Sequence, residues 1–283
     1  MSRPSSVRRL GRFLWTLTTS IVKHDIASLA AVIAFYAFFS LFPLLLLAIY
    51  ALSVAVPQSS VETLLMDILR PYFPAMENAQ KIIATNLGQL AQGTDVGVVS
   101  AVTLVWSATS GFIAFQQALD TIYGNEQQRS FVTRRLVGFV MLVILLILTL
   151  GSALVLWVFP VIRLNLVTFP AVLPWLLLIH ALSRVIFPLS LILGFIISFR
   201  YLPSRRIDWV YLFPGALVSA LALDVGRHVF VWYATHISKY QVIYGGLTTV
   251  MLLVLWMYIG SMLMLFGAEV SAALEDELER EVG

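Results

Sequence analysis

The sequence predicts an all-α, polytopic membrane protein with six transmembrane helices and both termini in the cytoplasm, and three observations carry that prediction. The 283-residue chain is 60% hydrophobic and only 12% charged, with a mean hydropathy of +0.91; a soluble domain carries about twice that charged fraction. The apolar residues gather into six blocks, 29–56, 96–119, 136–162, 174–199, 209–233 and 244–273, each near or above the roughly 20 residues that a helix needs to cross a bilayer. Between them, Lys and Arg fall mainly on one side. Arg3, Arg8, Arg9, Arg12, Lys23, Arg129, Arg134, Arg135, Arg200, Arg205, Arg206 and Arg280 share that side, against Arg70, Lys81, Arg163 and Lys239 on the other. Basic loops stay inside, which sets the orientation.

The elements follow in order. Residues 1–28 read as a cytoplasmic, basic amphipathic helix, with Leu10, Phe13, Leu14, Leu17 and Ile21 at helical spacing and arginines between them. Such a helix lies on the inner leaflet as an interfacial anchor or as a reader of anionic lipid. The first apolar run is too long for a signal-peptide core and reads as a retained span. Residues 29–273 form the six-helix transmembrane domain. Its longest outer loop, 57–95, reads as an extracytoplasmic helical hairpin. Ser59 and Glu62 make a capping box, Pro71 and Pro74 break the first helix, and Met76, Ala79, Ile82, Ile83, Leu87 and Leu90 stripe the second. Span two carries Thr103, Ser107, Thr109, Ser110, Gln116 and Gln117, as suits a helix among neighbours rather than in lipid. Residues 274–283 are an acidic cytoplasmic tail that continues the last helix into water.

Ionisable residues inside spans mark functional positions by default, because the bilayer makes them expensive. His180 and Arg184 are four apart in span four, while Asp224, Arg227 and His228 share a face of span five. Counted along the helices from Arg200 and Asp208, Arg184 and Asp224 both lie about 24 Å from the cytoplasmic end. They are expected to pair, either as a structural link between helices or as a station on an ion, proton or head-group pathway. Glu269 stands near the cytoplasmic end of span six, flanked by Gly260, Gly267 and Ser271, which permit close helix packing. It is expected to bond a neighbouring helix end or a loop arginine. Pro43, Pro160, Pro188 and Pro214 interrupt spans, and Phe42–Pro43–Leu44 recurs as Phe187–Pro188–Leu189, an arrangement compatible with inverted repeats.

Several short pieces, in this order and spacing, resemble the YihY/BrkB family of bacterial inner-membrane proteins, formerly labelled ribonuclease BN-like. They are Ala34–Phe35–Tyr36 with Ser40–Leu41–Phe42–Pro43, Trp106–Ser107 through Gln117, Ala118 and Leu119 to Tyr123, and Pro214–Gly215–Ala216. Asp224, Gly226, Arg227, Phe230 and Tyr233 follow, then Tyr240, Tyr244–Gly245, Leu255–Trp256 and Leu265–Phe266–Gly267–Ala268–Glu269. The chain keeps the family's acid–Gly–basic pattern as Asp224, Gly226 and Arg227. It departs at Phe199–Arg200–Tyr201–Leu202–Pro203, which is more basic than the family form. The resemblance implies a six-helix inner-membrane fold with both termini inside, and links to serum resistance and envelope or lipid processes.

Function classes can then be weighed. A metal-dependent nuclease needs clustered ligands, and the four histidines, His24, His180, His228 and His236, show no such spacing. The absence of cysteine rules out disulfides and thiolate sites. The sequence pI near 9.3 is explained by the inner loops rather than by nucleic acid. No phosphate-binding Gly-rich loop ending in Lys-Ser or Lys-Thr occurs. The expected function is a non-enzymatic transporter or flippase moving lipid, a lipid-linked head group or a small ion without an ATPase of its own. The alternative is a non-transporting scaffold for envelope assembly. No cofactor or metal is expected; the expected partners are membrane lipids and, for the scaffold, envelope proteins.

Overall fold

The computed structural model describes residues 6–55, 94–125, 129–166, 188–236 and 246–282. Among the described residues there are seven helices and no strand: α1 (Ser6–Lys23), α2 (Ile26–Ala55), α3 (Thr94–Ile122), α4 (Phe131–Leu166), α5 (Pro188–Tyr201), α6 (Trp209–His236) and α7 (Gly246–Val282). The segments Phe131–Leu148, Trp209–His236 and Val250–Leu278 are long and apolar enough to cross a membrane. A bent pair, Gly11–Lys23 with Ile26–Leu41, makes a fourth if taken as one broken span. The expected outer hairpin at 57–95 lies almost wholly outside the described residues, as does the first part of span four.

Local chemistry explains where the helices stop. At the end of α1 the His24 amide donates to the Ser20 carbonyl at 2.9 Å. Asp25 then takes a left-handed conformation, φ 47°, which Asp tolerates better than most residues. The chain turns by 57° between the two helices there. α3 ends in a full Schellman motif: Asn125 donates to the Asp120 carbonyl at 2.8 Å and Gly124 to that of Thr121 at 3.2 Å, with Gly124 at φ 62°. Ser130 caps α4, its hydroxyl accepting from the Thr133 amide at 3.3 Å. Pro43, Pro160 and Pro214 sit inside continuous helices rather than interrupting them, as membrane helices allow when the freed carbonyl finds another partner.

Two compact units divide the chain: one contains Met1–Leu29, Phe112–Val225 and Met262–Gly283, the other Ala30–Gly111 and Gly226–Ser261. In the second unit Gly111 brings α3 close to Tyr36 of α2, and Phe230 stacks on Trp256 with centroids 4.9 Å apart. Its surface exposes Val98, Val102, Trp106, Val229, Trp232 and Met251, a dress for hydrocarbon rather than water.

The first unit is packed more densely. Phe115, Ala118, Leu119 and Ile122 form the buried face of α3, at the spacing of an amphipathic stripe. Phe199 of α5 meets Phe115 edge-on at 6.4 Å. α6 and α7 cross at backbone contact, because Gly215 stands over Gly267 and Ser271 while Gly267 stands over Gly215 and Ser219. The Ser219 hydroxyl donates to the Met264 carbonyl at 3.2 Å across this crossing. Pairs of small residues four apart on each helix are what permit such an approach.

Candidate functional site

Polar side chains of the first unit gather where α1, α3 and α7 end. Gln116, Asp120 and Tyr123 follow one another along a single face of α3, and all three are buried. The Asp120 carboxylate accepts from the Ser204 amide at 2.7 Å, from the Ser204 hydroxyl at 3.0 Å and from the Asn125 side chain at 3.4 Å. Gln116 donates to the same hydroxyl at 3.4 Å. One carboxylate thereby fastens the end of α3 to the short loop after α5. Charge-assisted bonds to an otherwise unpaired amide are among the stronger polar contacts in a protein.

Arg129 secures that loop from the other direction. Its guanidinium donates to the carbonyls of Pro203 at 2.7 Å, Leu202 at 3.1 Å and Tyr201 at 3.5 Å, supplying the last carbonyls of α5 with the donors a helix end lacks. Arg200 donates to the Ile207 carbonyl and lies over the Trp209 ring. Removing the fork in Arg129→Ala is expected to lower stability by about 1–3 kcal/mol, read as a fall in melting temperature in detergent. Arg129→Lys should recover little of it, because an ammonium cannot serve the carbonyls as a fork does. A melting temperature equal to wild type in the alanine variant would refute the capping role.

At the end of α7, two carboxylates are engaged differently. Glu275 is buried and accepts from Arg205 at 2.8 Å, whose other nitrogen donates to the Tyr123 carbonyl at 3.4 Å. Glu277 pairs with Arg12 of α1 at 3.3 Å. The tail expected to be a solvated end is therefore so at the exposed Asp276, while Glu275 is drawn inside by its arginine. The Tyr123 hydroxyl lies beside Ser271, without a well-formed hydrogen bond between them. Burial pushes its pKa far above the ordinary value, helped by the nearby Glu275 and Glu269. Tyr123 is consequently a proton-bearing donor at any physiological pH.

Glu269 is the most deeply placed charge of the cluster, with no exposed surface. Its Oε1 lies 2.6 Å from Nδ1 of His24, the residue at the α1–α2 joint. Its Oε2 is buried without a hydrogen-bond partner. The expected bond to a neighbouring helix end is present, with a histidine supplying it. The loop arginine, Arg205, serves Glu275 instead.

Of the other residues singled out from the sequence, Asp224 is half-buried on α6, and Arg227 and His228 are exposed on the same helix; all three have interaction partners. His180 and Arg184 lie outside the described residues, and with them the expected Arg184–Asp224 pair. Sequence reasoning missed Asp120, Ser204, Glu275 and the pairing role of His24. A signal for Asp120 existed: with Gln116 and Tyr123 it makes a polar line at i, i+4 and i+7 along one helical face.

A family model described as "Virulence factor BrkB" matches residues 17–282. The chain is similar to a ribonuclease-like protein, YfkH, of Bacillus subtilis, with 26% identity over 81% of this chain and 83% of that one. It is also similar to a UPF0761 membrane protein of Alteromonas mediterranea, 34% identical over 32% of this chain and 31% of the relative. Another, from Pelodictyon phaeoclathratiforme, is 35% identical over 29% and 19% respectively. These last two alignments span a third or less of the relatives' length. No solved structure matches the chain.

Proposed function

Because the chain belongs to the virulence factor BrkB family, a family of membrane proteins, we propose that it is a six-span inner-membrane transporter or flippase, with Glu269 and His24 as its working polar station. The observation that supports this reading is the state of Glu269. A carboxylate with one oxygen on a histidine and the other unpartnered is a costly thing to keep inside an apolar segment. A purely structural pair would satisfy both oxygens, whereas a group that accepts and releases a proton or cation benefits from an open valence. Asp224, with Arg227 and His228, is proposed as a second polar station on α6. With no phosphate-binding loop of its own, the protein works passively, by ion coupling, or with a partner's energy. The ribonuclease-like wording attached to the Bacillus relative describes that protein and does not extend to this one.

Reconstitution into liposomes tests the proposal, with fluorescent-lipid scrambling and ion flux measured side by side. Wild type should move one of the two, and Glu269→Gln should slow it by about a hundredfold or more, an effect of the size seen when a proton-transfer group is lost. Asp224→Asn should slow it as well. Both variants should still elute as monodisperse protein. If wild type moves neither lipid nor ions, the transport reading fails and the scaffold for envelope assembly takes its place.

A further inference from the structure

α1 has three faces, and among the described residues its apolar packing is made by one of them. Leu17 is buried with Val270 and Ala273, and Phe13, Ile21, Val218, Phe266 and Leu274 pack against that cluster. Turned away from this contact are Leu14, Trp15 and Val22, which expose 50%, 72% and 79% of their surface. At about 100° per residue, these three and Thr18 fall within an arc of roughly 100°. The exposed polar groups on or beside the arc ask nothing of water. The Thr18 hydroxyl donates to the Leu14 carbonyl at 2.9 Å and the Thr19 hydroxyl to that of Trp15 at 2.8 Å. The third flank carries Arg12 and Lys23, both exposed.

We infer that this outer side of α1 is a docking surface for anionic phospholipid. Its apolar arc enters the acyl boundary and its basic flank meets phosphate groups. An indole at the edge of an apolar arc, with cations alongside, is the chemistry of the headgroup boundary. A protein partner would be met by polar groups able to bond it, and the arc's hydroxyls are already spent on their own helix. Charge complementarity selects the lipid class: Arg12 touches one carboxylate, Glu277, at 3.3 Å, and its side chain remains 57% exposed. Anionic headgroups therefore compete with Glu277 for the same guanidinium. The surface is independent of whether the protein transports anything.

The chain has no cysteine, so a single introduced thiol can be labelled without background. Trp15→Cys and, separately, Val22→Cys carry a nitroxide in full-length protein, in vesicles of phosphatidylcholine alone or mixed with phosphatidylglycerol. Accessibility to oxygen and to a nickel complex reports depth. Both labels should read as lipid-immersed, in contrast to one at Asp276→Cys, and should sit deeper when phosphatidylglycerol is present. Each cation near an anionic surface favours binding by about fivefold, so Arg12→Gln should reduce the phosphatidylglycerol effect and Glu277→Gln should enlarge it. Labels at 15 and 22 as wet as the one at 276 would overturn the inference. So would immersion indifferent to phosphatidylglycerol in both wild type and Glu277→Gln, which would leave α1 a neutral apolar anchor.

Discussion

Gly267→Ala is expected to destabilise the protein by about 3 kcal/mol, and Gly267→Val to leave little folded protein. A methyl at Gly267 would overlap Ser219 and the Gly215 carbonyl; one at Gly215 would overlap Ser271 and the Gly267 carbonyl. Two of these obstacles are backbone, which cannot turn aside as a long side chain would. The helices would have to separate, breaking the Ser219 bond to Met264 and loosening buried Leu265, Ala268 and Ala216. Gly11→Ala is the control, since nothing lies within 4 Å of a methyl there. It should melt at or slightly above the wild-type temperature, because alanine is the better helix former. Equal melting of Gly267→Ala and wild type would show that the crossing is looser than backbone contact.

The second large effect is expected at Asp120. Asp120→Ala leaves the Ser204 amide and hydroxyl without their acceptor and releases Asn125. Stranding half-buried donors that had bonded a charge should cost about 1–3 kcal/mol. The damage should be local before it is global. Arg205 and Arg206 are exposed on the loop that Asp120 holds, so trypsin should nick the variant there several-fold faster than wild type. Nicking follows the population of the opened loop, and a loss of this size raises that population strongly. Unchanged cleavage would mean that Arg129 alone secures the loop.

How legible was this in the sequence? The helices were, because an apolar run of span length leaves few alternatives, and α6 begins where the fifth block does. Glu269 was also legible, since an acid in such a run stands out. Its partner was not. His24 is far away in sequence, in a mixed stretch between Lys23 and Asp25. Periodicity says which face a residue occupies and nothing about which distant element arrives there. The loop cations show the same gap. Arg129, Arg200 and Arg205 counted toward orientation, and a tally of charges is blind to the carbonyls and carboxylates they bind. Asp120 was overlooked because it lies just past the apolar block, where a polar residue looks unremarkable.

The α1–α2 joint has a consequence for how this chain tolerates change in length. Asp25 takes the bend in a single residue, so the helices are linked in phase as well as direction. One inserted residue would rotate α1 by about 100° about its axis. Leu14, Thr18 and Val22 would then take the places of Phe13, Leu17 and Ile21, and His24 would swing away from Glu269. Insertions elsewhere in α1 would divide it; an insertion at this joint would keep the helix whole and aim every face wrongly. The joint works as an indexing pin.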